Sequence, residues 1–312
     1  MIENRDSSIA AVFVGQGSIH AGMGKGIFDA YRSQVIELYE AGSEVVGVDM
    51  VQVCNEDPNG LLGSDSIAQP ALVIVELAEY RVAEEEIGLK PGHVAGHSLG
   101  ELSAVSASGL LDFVQTIKLA KVRGEAMEEA SIEKPGSMAA VLGLPEDRIG
   151  EICERFGVYI ANENSDVQIV VSGLRDRVQR VAQYINGLKN QGERVKFQLL
   201  DSIHMASHCP LMDPARPILR SFLDGIDIKW PPKVPLISNS TAQYPLNEET
   251  LKDNLADQVV KKVKWRKSIL EVVKNGADVF YVVGPGNFMA GAIQRIDPSA
   301  VVRNVNDLLL NR

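Results

Sequence analysis

Val94-Ala95-Gly96-His97-Ser98-Leu99-Gly100-Glu101 is a Gly-x-Ser-x-Gly run that follows an apolar stretch and opens a helical pattern. A serine at the tip of so tight a strand-to-helix turn occupies strained backbone, and Gly96 and Gly100 remove the Cβ atoms that would block the turn. The helix read from Gly100 to about Ala107 points its first amides back at the bend, which makes the Leu99 amide a candidate oxyanion donor. An ordinary Gly-Ser loop would carry the same letters. The strand before and the helix after separate a nucleophile from a chance match, and Ser98 is the candidate nucleophile.

Upstream, the apolar run Ile9 to Val14 feeds Gly15-Gln16-Gly17-Ser18, with Gly22 and Gly24 beyond, the pattern of a buried strand entering a glycine-rich loop. A dinucleotide fingerprint needs glycine where His20 stands, and the Lys-Ser/Thr pair of a P-loop is missing, so both nucleotide readings are excluded. An apolar helix spans 68–86 from Gln69-Pro70, the elbow strand spans about 93–96, and a further helix covers 113–130. From Ser137 the pattern becomes strand Met138 to Leu142, helix Pro145 to Phe156, strand Val158 to Asn162, strand Gln168 to Ser172, helix Asp176 to Leu188 and strand Arg194 to Leu199. That order is βαββαβ. A strand at Val234 to Ser238, a helix around Leu251 to Val260, a strand at Val279 to Val283 and a Gly284-Pro285-Gly286 turn into a final helix follow. The expected fold is α/β: a hydrolase-like core with a mostly parallel sheet, residues 1–132 and 203–312, carrying an inserted ferredoxin-like domain at 133–202.

The chain has 312 residues and is 45% hydrophobic, enough for a large core without staples. Its three cysteines, Cys54, Cys153 and Cys209, are odd in number and widely spaced, which fits neither a zinc motif nor a disulfide framework and favours a reducing, cytoplasmic setting. The opening Met1 to Ser8 is polar without an apolar leader core, and no apolar run approaches the ~20 residues a bilayer span needs, so a soluble protein is expected. A net charge of −10 argues against nucleic acid as a partner. Lys261 to Lys267, Lys-Lys-Val-Lys-Trp-Arg-Lys, departs from that balance and is either a surface that steers an acidic protein or a solvated face.

A serine nucleophile needs a base, and the histidines are His20, His93, His97, His204 and His208. His97 adjoins Ser98 in the chain, so its ring is expected to point away from the hydroxyl. His208, in a loop just after the small domain, is preferred, with His204 as rival. Arg123 rises from an apolar helical stripe of Leu119, Ala120, Ala126 and Met127 with no carboxylate within pairing range on its own helix. A ligand carboxylate would meet it bidentately; otherwise it snorkels to solvent or pairs across the fold.

Several motifs together resemble the malonyl-CoA:acyl carrier protein transacylases over nearly the whole chain. They are Phe13-Val14-Gly15-Gln16-Gly17-Ser18, Gln69-Pro70-Ala71-Leu72, Gly96 to Glu101, Val122-Arg123-Gly124 with Met127, Gly136 to Val141, Ala161 to Ser165, Ser207 to Met212, Gln258, Trp265 and Val283-Gly284-Pro285-Gly286. The resemblance implies that Ser98 is acylated, that His208 is its base and later its acid, and that the Gln16 and Leu99 amides form the oxyanion hole. It further implies that Arg123 holds the free malonyl carboxylate, with Gln69, Met127, Asn162 and Ser207 around the substrate, and that a backbone carbonyl near Gln258 orients the histidine. Malonyl-CoA and an acyl carrier protein are the implied partners. No metal or cofactor is implied beyond the acceptor's own phosphopantetheine.

Val14 stands where the family has proline, Ile19 where it has a second glutamine, and Asp166-Val167 where it has Pro-Gly. Met205-Ala206-Ser207-His208 is similar to the Tyr-Ala-Ser-His form associated with methylmalonyl selectivity in modular polyketide synthases. A methylmalonyl-selective or trans-acting polyketide acyltransferase is therefore one alternative. An acyl hydrolase on the same scaffold is another, and a non-catalytic carrier-binding subunit is a third.

Overall fold

A computed structural model describes residues 6–200 and 203–311. The extreme amino terminus, read above as polar, and residues 201–202, where the expected return to the core falls, lie outside them.

The chain opens with β1 (Asp6–Phe13). A single 3-10 turn, Gln16–Ser18, follows, and then α1 (Lys25–Val46), α2 (Met50–Asn55) and α3 (Asp65–Glu86). The elbow lies between β2 (Pro91–Gly96) and α4 (Gly100–Ala107), and α5 (Phe113–Ile132) completes this half. β1 and β2 pair in parallel, and Ala10 to Val14 are all but fully buried. A parallel sheet covered by helices on both faces has no wet side, which is why this strand reads as a continuous apolar run instead of an alternation.

The second body is β3 (Gly136–Leu142), α6 (Glu146–Phe156), β4 (Tyr159–Ser165), β5 (Gln168–Leu174), α7 (Arg175–Asn190) and β6 (Lys196–Leu199). Its strands are antiparallel in the order β4-β5-β3-β6. Successive side chains of a strand face opposite ways. Ala139 and Val141 pack under the helices with Ile149, Val171 and Val181, while Met138, Ala140 and Val170 form a separate apolar face on the other side.

The core resumes with α8 (Ala215–Asp224), α9 (Glu248–Asp257) and α10 (Trp265–Lys274), then β7 (Val279–Val283), α11 (Phe288–Ile296), β8 (Val301–Asn304) and α12 (Val305–Leu310). The parallel sheet runs β2-β1-β7-β8. Phe13 lies opposite Gly96 on one side and Val283 on the other. The glycine-rich loop, the elbow and the Gly284 turn therefore leave the sheet side by side at the carboxyl ends of their strands, where open α/β sheets bind ligands.

Three expectations need correction. Val234 to Ser238 is not a regular strand: Leu236 makes one parallel bridge to Val94, through Val94 N–H to Pro235 O (2.9 Å) and Ile237 N–H to Val94 O (3.2 Å). Pro235 lacks the N–H that a longer ladder would need. The helix after Gly286 is not the last element, because β8 and α12 follow it. The helix expected at Leu251 to Val260 starts earlier, capped by Asn247, whose side chain accepts from the Thr250 amide.

Buried carboxyls mark the inner face of α3. Glu76 accepts from Ser103 Oγ (2.5 Å), and Glu79 accepts from the Gly284 amide (3.1 Å). Among the described residues no helix is long and apolar enough to cross a membrane.

Candidate active site

Ser98 sits at φ +52°, the left-handed conformation that an L residue adopts only when its surroundings impose it. The surroundings here are tight. A Cβ on Gly96 would come within 2.0 Å of Gly100 O, and one on Gly100 within 2.2 Å of Val14 O. The Ser98 amide donates to Asn239 Oδ1 (2.7 Å), Asn239 Nδ2 donates to Gly96 O (2.6 Å), and the Asn239 amide donates to Glu101 Oε1 (3.1 Å). One buried asparagine thus spans the bend.

The Ser98 hydroxyl lies 2.7 Å from His208 Nε2, and His208 Nδ1 lies 2.8 Å from the Gln258 carbonyl. A carbonyl only accepts, so Nδ1 carries the hydrogen and Nε2 presents its lone pair to the serine. Burial, and then the nearby charge of Arg123, pull the His208 pKa down to about 3. The imidazole is neutral at neutral pH and ready to take a proton. His208 itself sits at φ +62° and donates its amide to Val259 O (2.9 Å), so backbone as well as ring is pinned to the segment after α9.

His204, His97 and His93 are engaged differently. His204 is exposed. His97 turns from the hydroxyl, bonds Asn164 through Nε2 at 2.9 Å and meets the buried Trp265 ring edge-on. His93 bonds the Tyr244 hydroxyl on another face.

Arg123 is 2% exposed, which rules out the snorkelling alternative. Its NH1 donates to Gln69 Oε1 (2.7 Å) and its NH2 to Gln258 Oε1 (3.1 Å), with Ser98 Oγ at 3.5 Å from NH2. Nε has no partner among the described residues. Burial lowers the guanidinium pKa to about 10, still far above neutrality, so the group stays charged.

These groups open on a cavity of about 310 Å³ between the two bodies. Gly15 to Ser18 and His208 line the core side, while Met138, Ala140, Asn162 and Val170 line the side of the antiparallel sheet. Ser207 lines it as well, and Phe288, 47% exposed, stands among its outer residues. Gln16 therefore borders the cavity, whereas Leu99 is buried and sits just before α4. Gln69, Met127 and Gln258 do not line the cavity: Gln69 and Gln258 grip Arg123 from behind, and Met127 Sδ lies 3.9 Å from Gln69 Nε2. Asn239 and Phe288 were not singled out in the sequence, and Asn164 figured there only within the Ala161 to Ser165 motif. An asparagine just past the apolar run Val234 to Ser238, and an apolar residue two positions after Gly284-Pro285-Gly286, were the available signals.

Three of the five cations of the basic run are held in ion pairs. Lys261 pairs with Asp257 (2.6 Å), Lys262 with Glu146 (3.0 Å) and Glu163, and Arg266 with Asp166 (2.6 Å). Val263 bridges in parallel to Asn162, accepting from the Glu163 amide (2.9 Å) and donating to Ala161 O (2.8 Å). The segment staples β4 to the core.

Comparison with known proteins places this arrangement. The family described as the acyl transferase domain matches residues 11–305. The polyketide biosynthesis malonyl CoA-acyl carrier protein transacylase PksC of Bacillus subtilis is 36% identical over 297 residues, covering 94% of this chain and 98% of that protein. The malonyl-CoA:acyl carrier protein transacylase structure from Xanthomonas oryzae superposes with a TM-score of 0.90 at 31% identity, covering 97% of this chain and 96% of that one. A structure described as a type II polyketide acyl carrier protein in complex with its malonyl-transacylase also gives 0.90, at 31% identity and with 97% and 98% covered. The chain belongs to the acyl transferase domain family.

Proposed function

We propose that this protein transfers a malonyl group from malonyl-CoA to the phosphopantetheine thiol of an acyl carrier protein, by ping-pong chemistry through an acyl-Ser98 intermediate. The observation that carries the reading is the buried, charged guanidinium of Arg123 at 3.5 Å from the Ser98 hydroxyl. A dicarboxylic half-thioester places its free carboxylate there while its carbonyl carbon meets Ser98.

His208 Nε2 takes the Ser98 proton as Oγ bonds to the thioester carbon. The oxyanion that forms is held by the Gln16 and Leu99 amides. The carbon–sulfur bond then breaks, and His208 returns its proton to the departing CoA sulfur. In the second half the carrier thiol gives its proton to His208 and attacks the ester carbon. Ser98 Oγ leaves and recovers that proton. The Gln258 carbonyl, in place of a carboxylate, keeps the imidazole turned correctly throughout. Asn162 and Ser207 border the acyl group, with Gln69 and Met127 behind the arginine. Serine, imidazole, guanidinium and backbone amides supply the chemistry, and the acceptor brings its own prosthetic thiol. The buried free thiols Cys54, Cys153 and Cys209 fit a cytoplasmic setting.

Ser207 lines the cavity with a small side chain, which favours a branched extender as a second reading. One experiment addresses both: intact-mass measurement after mixing with malonyl-, methylmalonyl- or acetyl-CoA, followed by a holo carrier protein. Malonyl mass on Ser98, absent in Ser98→Ala and discharged onto the carrier, is expected. Discharge to water at the same rate without carrier would make the protein a hydrolase, and no acyl mass at all would leave only a carrier-binding role.

A further inference from the structure

The charge of Arg123 is balanced at one remove on two sides. Gln69 accepts from NH1 with its Oε1 and turns its Nε2 toward Asp65 Oδ1 (3.5 Å). Gln258 accepts from NH2 with its Oε1 and donates its Nε2 to Glu101 and to Ser98 O (2.9 Å). Glu101 is fully buried and further held by the Asn239 amide, and Asp65 also receives the Gln16 side chain. Two carboxylates thus face the guanidinium, each through a neutral amide.

The arrangement has a chemical consequence. A carboxylate directly on a buried guanidinium forms a bidentate pair, and an incoming substrate carboxylate would have to displace it. With no counter-charge at all, burying the cation would be far more costly. An amide between the two solves both problems, because its oxygen faces the cation and its NH2 faces the anion. The anion also helps fix the sense of the amide: without it Gln69 can turn and oppose donor to donor, and Gln258 keeps only the Ser98 carbonyl as acceptor for its Nε2. The unpartnered Arg123 Nε fits a guanidinium whose donors are not exhausted by the protein.

We infer that Asp65 and Glu101 are specificity-determining positioning residues, which act through Gln69 and Gln258 to keep Arg123 charged and aimed while leaving its remaining donors for the substrate carboxylate. This rests on the malonyl reading above. Burial raises the Glu101 carboxyl pKa to about 7, opposed by hydrogen bonds from Gln258, Asn239 and Ser238 and then by the Arg123 charge; burial raises Asp65 too, opposed by the Gln69 and Gln16 side chains and then by Arg123.

The test measures kcat/KM for Ser98 acylation by malonyl-CoA and by acetyl-CoA in the wild type, Asp65→Asn, Glu101→Gln, and each of these combined with Arg123→Ala. Each single change should lower the malonyl-to-acetyl preference about tenfold or more, and add less than about twofold once Arg123 is gone. Equal losses for both substrates, or a preference loss that persists undiminished without Arg123, would assign these residues to the fold alone. Should either variant fail to fold, Gln69→Glu, which sets a carboxylate directly on Arg123, should abolish the malonyl preference; retention of that preference overturns the inference. A wild type that does not take malonyl from malonyl-CoA would instead defeat the parent reading, and is told apart by that control.

Discussion

Replacing Arg123 by alanine separates substrate choice from bond making. The guanidinium is 2% exposed and donates to Gln69 and Gln258, so a substrate carboxylate meets it away from bulk water. Removing one partner of a buried charge pair costs about 3–5 kcal/mol. At about 1.4 kcal/mol per decade, malonyl loading should fall by roughly two to nearly four orders of magnitude in kcat/KM. Acetyl-CoA has no carboxylate to lose, and its loading should change far less. Quenched-flow intact-mass analysis of acyl-Ser98 with the two CoA esters reads both rates. A second readout is built in. His208 is held low by burial and then by the Arg123 charge, so deleting the cation moves its pKa upward, and the acid limb of acetyl loading should shift to higher pH. Equal loss for malonyl and acetyl groups in a folded variant would refute the assignment of Arg123 to the carboxylate.

Asn239→Ala deletes the acceptor for the Ser98 amide and the donor to Gly96 O; at about 1–3 kcal/mol for each stranded buried group, it should lower the melting temperature by several degrees and reduce both malonyl and acetyl loading. Calorimetry beside the loading assay checks this, and an unchanged melting point with full activity would contradict it. Glu79→Gln should flatten the pH dependence of stability. Burial raises the folded Glu79 pKa from 4.5 to about 7, so its stabilising contribution is complete below about pH 4.5 and is lost as pH rises through 7. Denaturant titrations at pH 5 and pH 8 should differ less in the variant than in the wild type, by up to about 3 kcal/mol; identical slopes would show that Glu79 does not titrate in this window.

The elbow was legible because its determinants are local: two glycines at which an added Cβ would fall within 2.2 Å of a backbone oxygen, and a serine between them, leave few other ways to fold those residues. The antiparallel body was legible from the βαββαβ order of its segments, but not which residues face which way: Met138 and Ala140 face the cleft while Ala139 and Val141 face helices, and all four are apolar. The preference for His208 over His204 from residues alone was slight, because burial and the Gln258 carbonyl, 50 residues away, are what distinguish them. Helix α1 was hidden behind Gly22 and Gly24, which read as loop, although its buried Ile27, Val35 and Tyr39 supply a core face. The pairing of the basic run was hidden for a related reason. Its partners Glu146, Glu163 and Asp166 lie about a hundred residues upstream, and only the fold brings them opposite.

That staple constrains anyone who would exchange the antiparallel body between acyltransferases. The exchange unit is discontinuous: the 136–199 stretch takes backbone pairing at Ala161 and Glu163 from Val263, only five positions beyond the residue whose carbonyl steers His208. A chimera cut at the obvious linkers would inherit a foreign clasp, exposing the outer edge of β4 to other chains and loosening the mount of the base. Grafts that carry 258–266 along with 136–199 keep the clasp native to both of the surfaces it joins.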